Sequence, residues 1–105
     1  MESYQVLYSD EALDDLREIY SYIAFVLKEP LVATRLIQRI RKEIQTLGLF
    51  PDKYHVVTIE TMRLLGMRQK TVGNFVIFYL TDYNNRAVNI VRVLYGRRNL
   101  NEIIK

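Results

Sequence analysis

The sequence has no cysteine and no tryptophan, and its single histidine is His55. Without cysteine there is no disulfide staple and no thiolate metal site, a usage that suits a reducing cytosol. One histidine cannot supply the paired imidazoles of the common zinc motifs. Long apolar runs are missing too. Stretches such as Phe75–Leu80 fall far short of the ~20 residues of a membrane span. Met1-Glu2-Ser3-Tyr4 has no basic stretch leading into an apolar core, so no secretory signal is expected and a cytoplasmic location is. There is no Gly-rich phosphate loop, no nucleophile elbow and no carboxylate cluster in the C-terminal half, which speaks against hydrolysis by a bound metal or a carboxylate pair. No cofactor is expected. With only four glycines and two prolines there is no linker, and there are no repeats. The 105 residues fit one domain, 1–105, around one core.

Acids are scarce after residue 62. Residues 1–62 hold seven Lys/Arg against ten Asp/Glu, a net −3, whereas residues 63–105 hold eight against two, a net +6. A small domain with one basic half points to a polyanionic partner, either nucleic acid or an acidic protein segment.

The patterning gives the order of elements. Tyr4, Val6 and Tyr8 alternate as a short strand. Ser9-Asp10 offers a helix N-cap, with Glu11, Asp14 and Asp15 at the positive end of the dipole. Leu13, Leu16, Tyr20, Ile23 and Leu27, widened by Ile19 and Val26, form the stripe of a helix of about five turns. Pro30 ends that helix and suits the first turn of the next. The second stripe is Ala33, Leu36, Ile37, Ile40, Ile44 and Leu47, with Gly48 as a C-cap and Pro51 blocking continuation. So short a link makes the two helices an antiparallel hairpin. Residues 49–63 read as a connector in which Val56, Val57 and Ile59 anchor or form a minor strand.

Gly73-Asn74 signals a two-residue type II′ turn. Counting outward pairs Val72 with Phe75 and so on to Arg68 with Tyr79. Alternation then puts Arg68, Lys70, Ile77 and Tyr79 on one face and Met67, Thr71, Val76, Phe78 and Leu80 on the other. The second set is the more apolar, so the helices are expected there, leaving the first as a basic outer face. Asp82–Asn85 is another turn and Ala87–Tyr95 the last strand. On it Val88, Ile90, Arg92 and Leu94 share one face, and Val91, Val93 and Tyr95 the other. Arg92 among aliphatics calls for a buried acid or an escape at the strand end. Leu100, Ile103 and Ile104 suit a final helical turn. The fold class is α+β: an N-terminal strand, then an antiparallel two-helix hairpin packed on a three- to four-stranded, mainly antiparallel sheet.

The residues left for chemistry are Arg68, Lys70, Arg97 and Arg98, with Tyr79, Tyr95 and His55. RNA is cleaved without metal when a 2′-hydroxyl attacks its own phosphate, given a base, an acid and cations on the phosphate. Many basic surfaces carry those residue types. A solvated outer face for Arg68 and Lys70, a loop role for His55 and a packing role for Tyr79 and Tyr95 remain the plain alternatives.

The hairpin Val72-Gly73-Asn74-Phe75-Val76-Ile77-Phe78-Tyr79 and the ending Val91-Arg92-Val93-Leu94-Tyr95-Gly96-Arg97-Arg98-Asn99-Leu100 resemble the RelE/ParE superfamily of bacterial toxins, over nearly the whole chain. The resemblance implies the toxin half of a type II toxin–antitoxin pair, inhibiting growth until a cognate antitoxin wraps it with an extended or helical C-terminal segment. An acidic segment of that kind is expected on the basic sheet face. ParE-like members poison DNA gyrase. RelE-like members cut ribosome-bound mRNA with sheet cations plus a C-terminal tyrosine, or a His-Tyr pair. Lys70 and Arg98 fall near cation positions of the nuclease branch, with Arg68 close by, but no Tyr or His follows Arg98. The ending looks more like the ParE branch, so the resemblance leans to a non-catalytic gyrase poison. The alternative is an mRNA endonuclease using Arg68, Lys70 and Arg98 on phosphate and Tyr95 or His55 for proton transfer. A third reading is a drifted toxin that only binds antitoxin. The expected target-binding set is Arg68, Lys70, Arg92, Arg97 and Arg98.

Overall fold

A computed structural model describes residues 3–58 and 60–96. In chain order its elements are β1 (Gln5–Tyr8), α1 (Asp10–Ser21) prolonged by a π-helical turn Tyr22–Val26, α2 (Pro30–Thr46), α3 (Glu60–Leu64), β2 (Arg68–Val72), β3 (Phe75–Asp82) and β4 (Ala87–Tyr95). The strands form one sheet in the order β1-β4-β3-β2. The β2–β3 and β3–β4 pairs are antiparallel, and β1 lies parallel to β4. The α+β class and the helical hairpin are as the sequence implies.

Ser9 both starts α1 and ties it to the sheet. Its Oγ accepts from the Ala12 amide at 3.0 Å and donates to the Val91 carbonyl at 2.8 Å. Asp10 and Glu11 occupy the first turn, at the positive end of the helix dipole. The expected apolar stripe is at least half-buried as far as Ile23 and then fails: Val26 and Leu27 are exposed, and Ala24 is the buried residue of the last turn. The cause is the change of period. Leu27 N–H donates to Tyr22 C=O at 3.0 Å, a wider turn that rotates later side chains off the core face. Lys28 then takes a left-handed φ of 58°. Glu29 N–H reaches back to Ile23 C=O at 2.9 Å, one residue wider than the usual 6→1 closure of a helix C-terminus, as the π-helical turn before it requires. Pro30 opens α2.

In α2 the buried side chains are Ala33, Ile40 and Ile44, followed by Leu47. Leu47, not Gly48, is its C-cap. Glycine serves a different need at 48. Its carbonyl accepts from Tyr4 N–H at 2.7 Å, and a Cβ there would lie 2.5 Å from the Tyr4 carbonyl oxygen.

The β2–β3 register is the one counted from the sequence, Val72↔Phe75 to Arg68↔Tyr79. Gly73 has φ +58° and Asn74 does not share it, as a type II′ turn requires. The face assignment is reversed. Val72, Ile77 and Tyr79 pack with Ala12, Leu16, Ile40 and Ile44 in the main core, so the helices cover the face that carries Arg68 and Lys70. The opposite face has its own smaller core of Val57, Met62, Met67, Phe78 and Leu94. A short helix that the sequence reading missed, α3, lies over it, and Val56 bridges to Arg68. Ile59 lies outside the described residues. A register shift in β4 also corrects the reading of that strand. Phe78 pairs with Arg92 but Tyr79 pairs with Ile90, so Val91 is an extra, bulged residue. Beyond the bulge the faces exchange, and Val93 joins Val88 and Ile90 in the main core while Leu94 joins the small one.

Candidate functional site

Arg68 and Lys70 leave β2 on the helix-covered face and meet residues of the connector and α2. Lys70 is only 8% exposed. Its Nζ lies 3.1 Å from Glu43 Oε2 of α2, donates to the Tyr54 hydroxyl and stands 4.1 Å from the centre of the Tyr54 ring. Burial works against the ammonium, but the bonds to Tyr54 and Glu43 outweigh it and raise the Lys70 pKa above the ordinary lysine value. The same bond to Lys70, with Lys53 nearby, draws the Tyr54 phenol below its usual range. Arg68 donates to the Tyr54 carbonyl at 2.6 Å and lies 3.6 Å from Asp52. Asp52 also accepts from the Tyr83 hydroxyl. Tyr79 is fully buried; its hydroxyl donates to the Pro51 carbonyl at 3.0 Å, and burial lifts its pKa to about 12. Residues 51–54 are thus clamped onto the sheet by the side chains first considered for chemistry.

Of the other sequence-picked residues, those that are described do not join this cluster. Arg92 forms a two-pronged pair with Asp15, Nε to Oδ2 at 2.8 Å and NH2 to Oδ1 at 2.9 Å. Asp15 Oδ2 also accepts the Val93 amide at 2.9 Å. The carboxylate therefore completes the edge of β4 where β1 has ended opposite Ile90, and Arg92 is held in a structural pair. Tyr95 is 40% exposed and meets Phe75 edge-on, ring centres 5.7 Å apart. His55 is exposed beside Gln69. Arg97, Arg98 and the helical turn expected at Leu100, Ile103 and Ile104 lie outside the described residues. Among the described residues no three His, Asp or Glu side chains gather in a metal-ligating group, and no helix is long and apolar enough to cross a membrane.

Sequence reasoning missed Glu43, Asp52, Tyr54 and Asp15. Asp15 had a usable signal. It stands three residues after Ala12 and four before Ile19, on the buried stripe of α1, where a carboxylate needs a partner. The misplaced cation Arg92 was the matching half. Tyr54, in an unpatterned connector, carried no such mark.

Apolar side chains face solvent at two further places. One is the tip of the helical hairpin. The other is the α3 side of the sheet, where Leu64 and Leu65 are exposed and Leu65 rims a groove of ≈ 280 Å³ floored by the buried Met62, Met67, Phe78 and Leu94.

A family model described as the ParE toxin of the type II toxin–antitoxin system parDE matches residues 6–100. No curated protein matches by sequence. Among solved structures, the chromosomal ParDE toxin–antitoxin system from P. aeruginosa is similar at 20% identity and TM-score 0.73, covering 89% of this chain and 96% of that one. The RelBE2 toxin–antitoxin complex from Mycobacterium tuberculosis is similar at 18% identity and TM-score 0.61, with 89% and 98% covered. The archaeal RelE–RelB complex from Pyrococcus horikoshii follows at 14% identity and TM-score 0.61, with 92% and 99% covered. At these identities the structural likeness is one of fold.

Proposed function

The chain belongs to the ParE toxin family of type II toxin–antitoxin systems, and from that premise we propose that it arrests growth as a non-catalytic poison of DNA gyrase, by protein–protein contact. The observation that carries the choice of target is the state of the β2 cations. Catalysis of phosphate chemistry needs cations aimed at the place where charge develops, without prior partners to give up. Lys70 is buried against Glu43 and Tyr54, and Arg68 is held by Asp52 and the Tyr54 carbonyl. Both face the helices. They are neutralised structural groups, and a phosphate would have to displace acids to reach them. The cognate partner is an antitoxin, by analogy with the ParDE and RelBE assemblies of the same fold. Because the helices already cover the Arg68/Lys70 face, the antitoxin takes other surfaces than the basic face first expected.

The second reading, a ribosome-dependent mRNA endonuclease, draws its support from Tyr95, accessible at the end of β4, and from Arg97 and Arg98 following it. Two assays on the purified chain separate the readings. One offers gyrase and supercoiled DNA, the other ribosomes programmed with mRNA. Inhibited supercoiling or trapped cleavage complexes with intact transcripts is the expected result. Transcript cut in the ribosomal A site, and lost in Lys70→Ala and Arg98→Ala variants that still bind antitoxin, refutes it.

A further inference from the structure

The tip of the helical hairpin is an apolar surface with charges arranged to match themselves. Phe25 and Leu31 are each 70% exposed, Val26 65% and Tyr22 55%, and Leu27 and Val32 are close to half exposed. All six fall between Tyr22 and Val32. The backbone closures from Leu27 to Tyr22 and from Glu29 to Ile23 fix this turn, and the Tyr20 and Phe25 rings meet edge-on at 6.2 Å. The surface is held in shape by its own bonds. With residue areas of roughly 150–250 Å², the exposed fractions amount to about 650 Å². That exceeds the ~300–600 Å² of the largest apolar patch on a typical monomer.

Lys28 and Glu29 sit side by side within this patch, both exposed. A partner of one charge sign attracts one of them and repels the other. A second copy turned about a two-fold axis presents Glu29 to Lys28 and Lys28 to Glu29, so both are satisfied. Burying the patch on both copies removes about 1,300 Å², within the ~1,200–2,000 Å² of stable specific interfaces. We propose that the segment Tyr22–Val32 is the interface of a two-fold homodimer, with Lys28 of each copy paired to Glu29 of the other. The proposal goes beyond the toxin reading and does not depend on which target is hit.

Sedimentation equilibrium of the purified chain from about 1 to about 100 µM tests it. The expected mass rises toward twice the 12.5 kDa of one chain. Replacing Phe25→Ser and Leu31→Ser together is expected to weaken association at least tenfold, whereas the unfolding midpoint measured at concentrations where both chains are monomeric moves little, since each side chain is 70% exposed. Glu29→Lys alone is expected to weaken it, and Lys28→Glu with Glu29→Lys to restore it. A monomer at every concentration overturns the proposal and leaves the patch to antitoxin or target. A dimer indifferent to the serine pair, or a charge swap that fails to restore association, overturns it equally.

Discussion

Replacing Asp15 by alanine should cost this small domain a large part of its stability. The carboxylate accepts three hydrogen bonds, two from Arg92 and one from the Val93 amide. Its removal leaves the Val93 N–H without a partner under α1, a loss of about 1–3 kcal/mol. It also leaves a guanidinium without its counter-charge. One-sided breaks of fully buried pairs cost about 3–5 kcal/mol. The Arg92 side chain is 31% exposed and regains water, so the low end or less applies. Against this, alanine in place of aspartate inside a helix returns roughly 0.5 kcal/mol. The net expectation is a loss of about 3 kcal/mol, or about 10–20 °C in Tm for a domain of this size. Asp15→Asn keeps acceptor oxygen but no charge and should lose about half as much. Urea unfolding of the parent, Asp15→Ala, Arg92→Ala and the double variant closes a thermodynamic cycle. A coupling of at least about 1 kcal/mol is expected, because the two groups touch directly. Asp15→Ala within about 0.5 kcal/mol of the parent, or an additive cycle, would show that the pair does not hold the β4 edge.

Gly48→Ala should destabilise by about 1–3 kcal/mol, as overpacking does, because the new methyl would press on the Tyr4 carbonyl; thermal unfolding checks this. Tyr79 should give the fold an alkaline limit. Burial pushes its pKa up to about 12 in the folded state, against the ordinary tyrosine value of 10.0, so between those values the unfolded chain releases a proton that the folded chain keeps. Stability therefore falls as pH rises through that window, by about 1.4 kcal/mol per unit at most. The slope should be shallower in Tyr79→Phe when chemical denaturation is followed from pH 9 to pH 12.

The parts of the fold set by local chemistry were legible in the sequence. Gly73 fixed a turn and thereby a five-pair register, Ser9 marked a helix start, and Pro30 separated two helices. The face of the sheet was not legible, because alternation tells inside from outside only when one side is wet. Here Phe78 and Ile77, adjacent on β3, are both buried, one under α3 and the other under α1 and α2. Arg68 and Lys70 then tipped the choice the wrong way, since their partners Asp52, Tyr54 and Glu43 lie 14 to 27 positions earlier in the chain. The bulge at Val91 has no glycine or proline to announce it. At the candidate site the residue types were right but their availability was misjudged: a cation in a strand looks the same whether it awaits a phosphate or is already paired.

The position of β4 has a consequence for how the protein comes into being. It is the last described strand in the chain, yet it is flanked on both edges, by β1 and β3. Ser9 waits for Val91, 82 residues downstream, and Asp15 for Arg92, 77 downstream. A nascent chain on the ribosome can form the helical hairpin and the β2–β3 pair, which are local. It cannot close the sheet until residues 87–95 emerge. Such long-range closure is slow compared with local structure. Until it occurs, the edge of β3 and the underside of α1 stay open to chaperones and to misassembly. Synthesis therefore passes through a stage in which nearly all of the toxin's sequence exists but its surface does not.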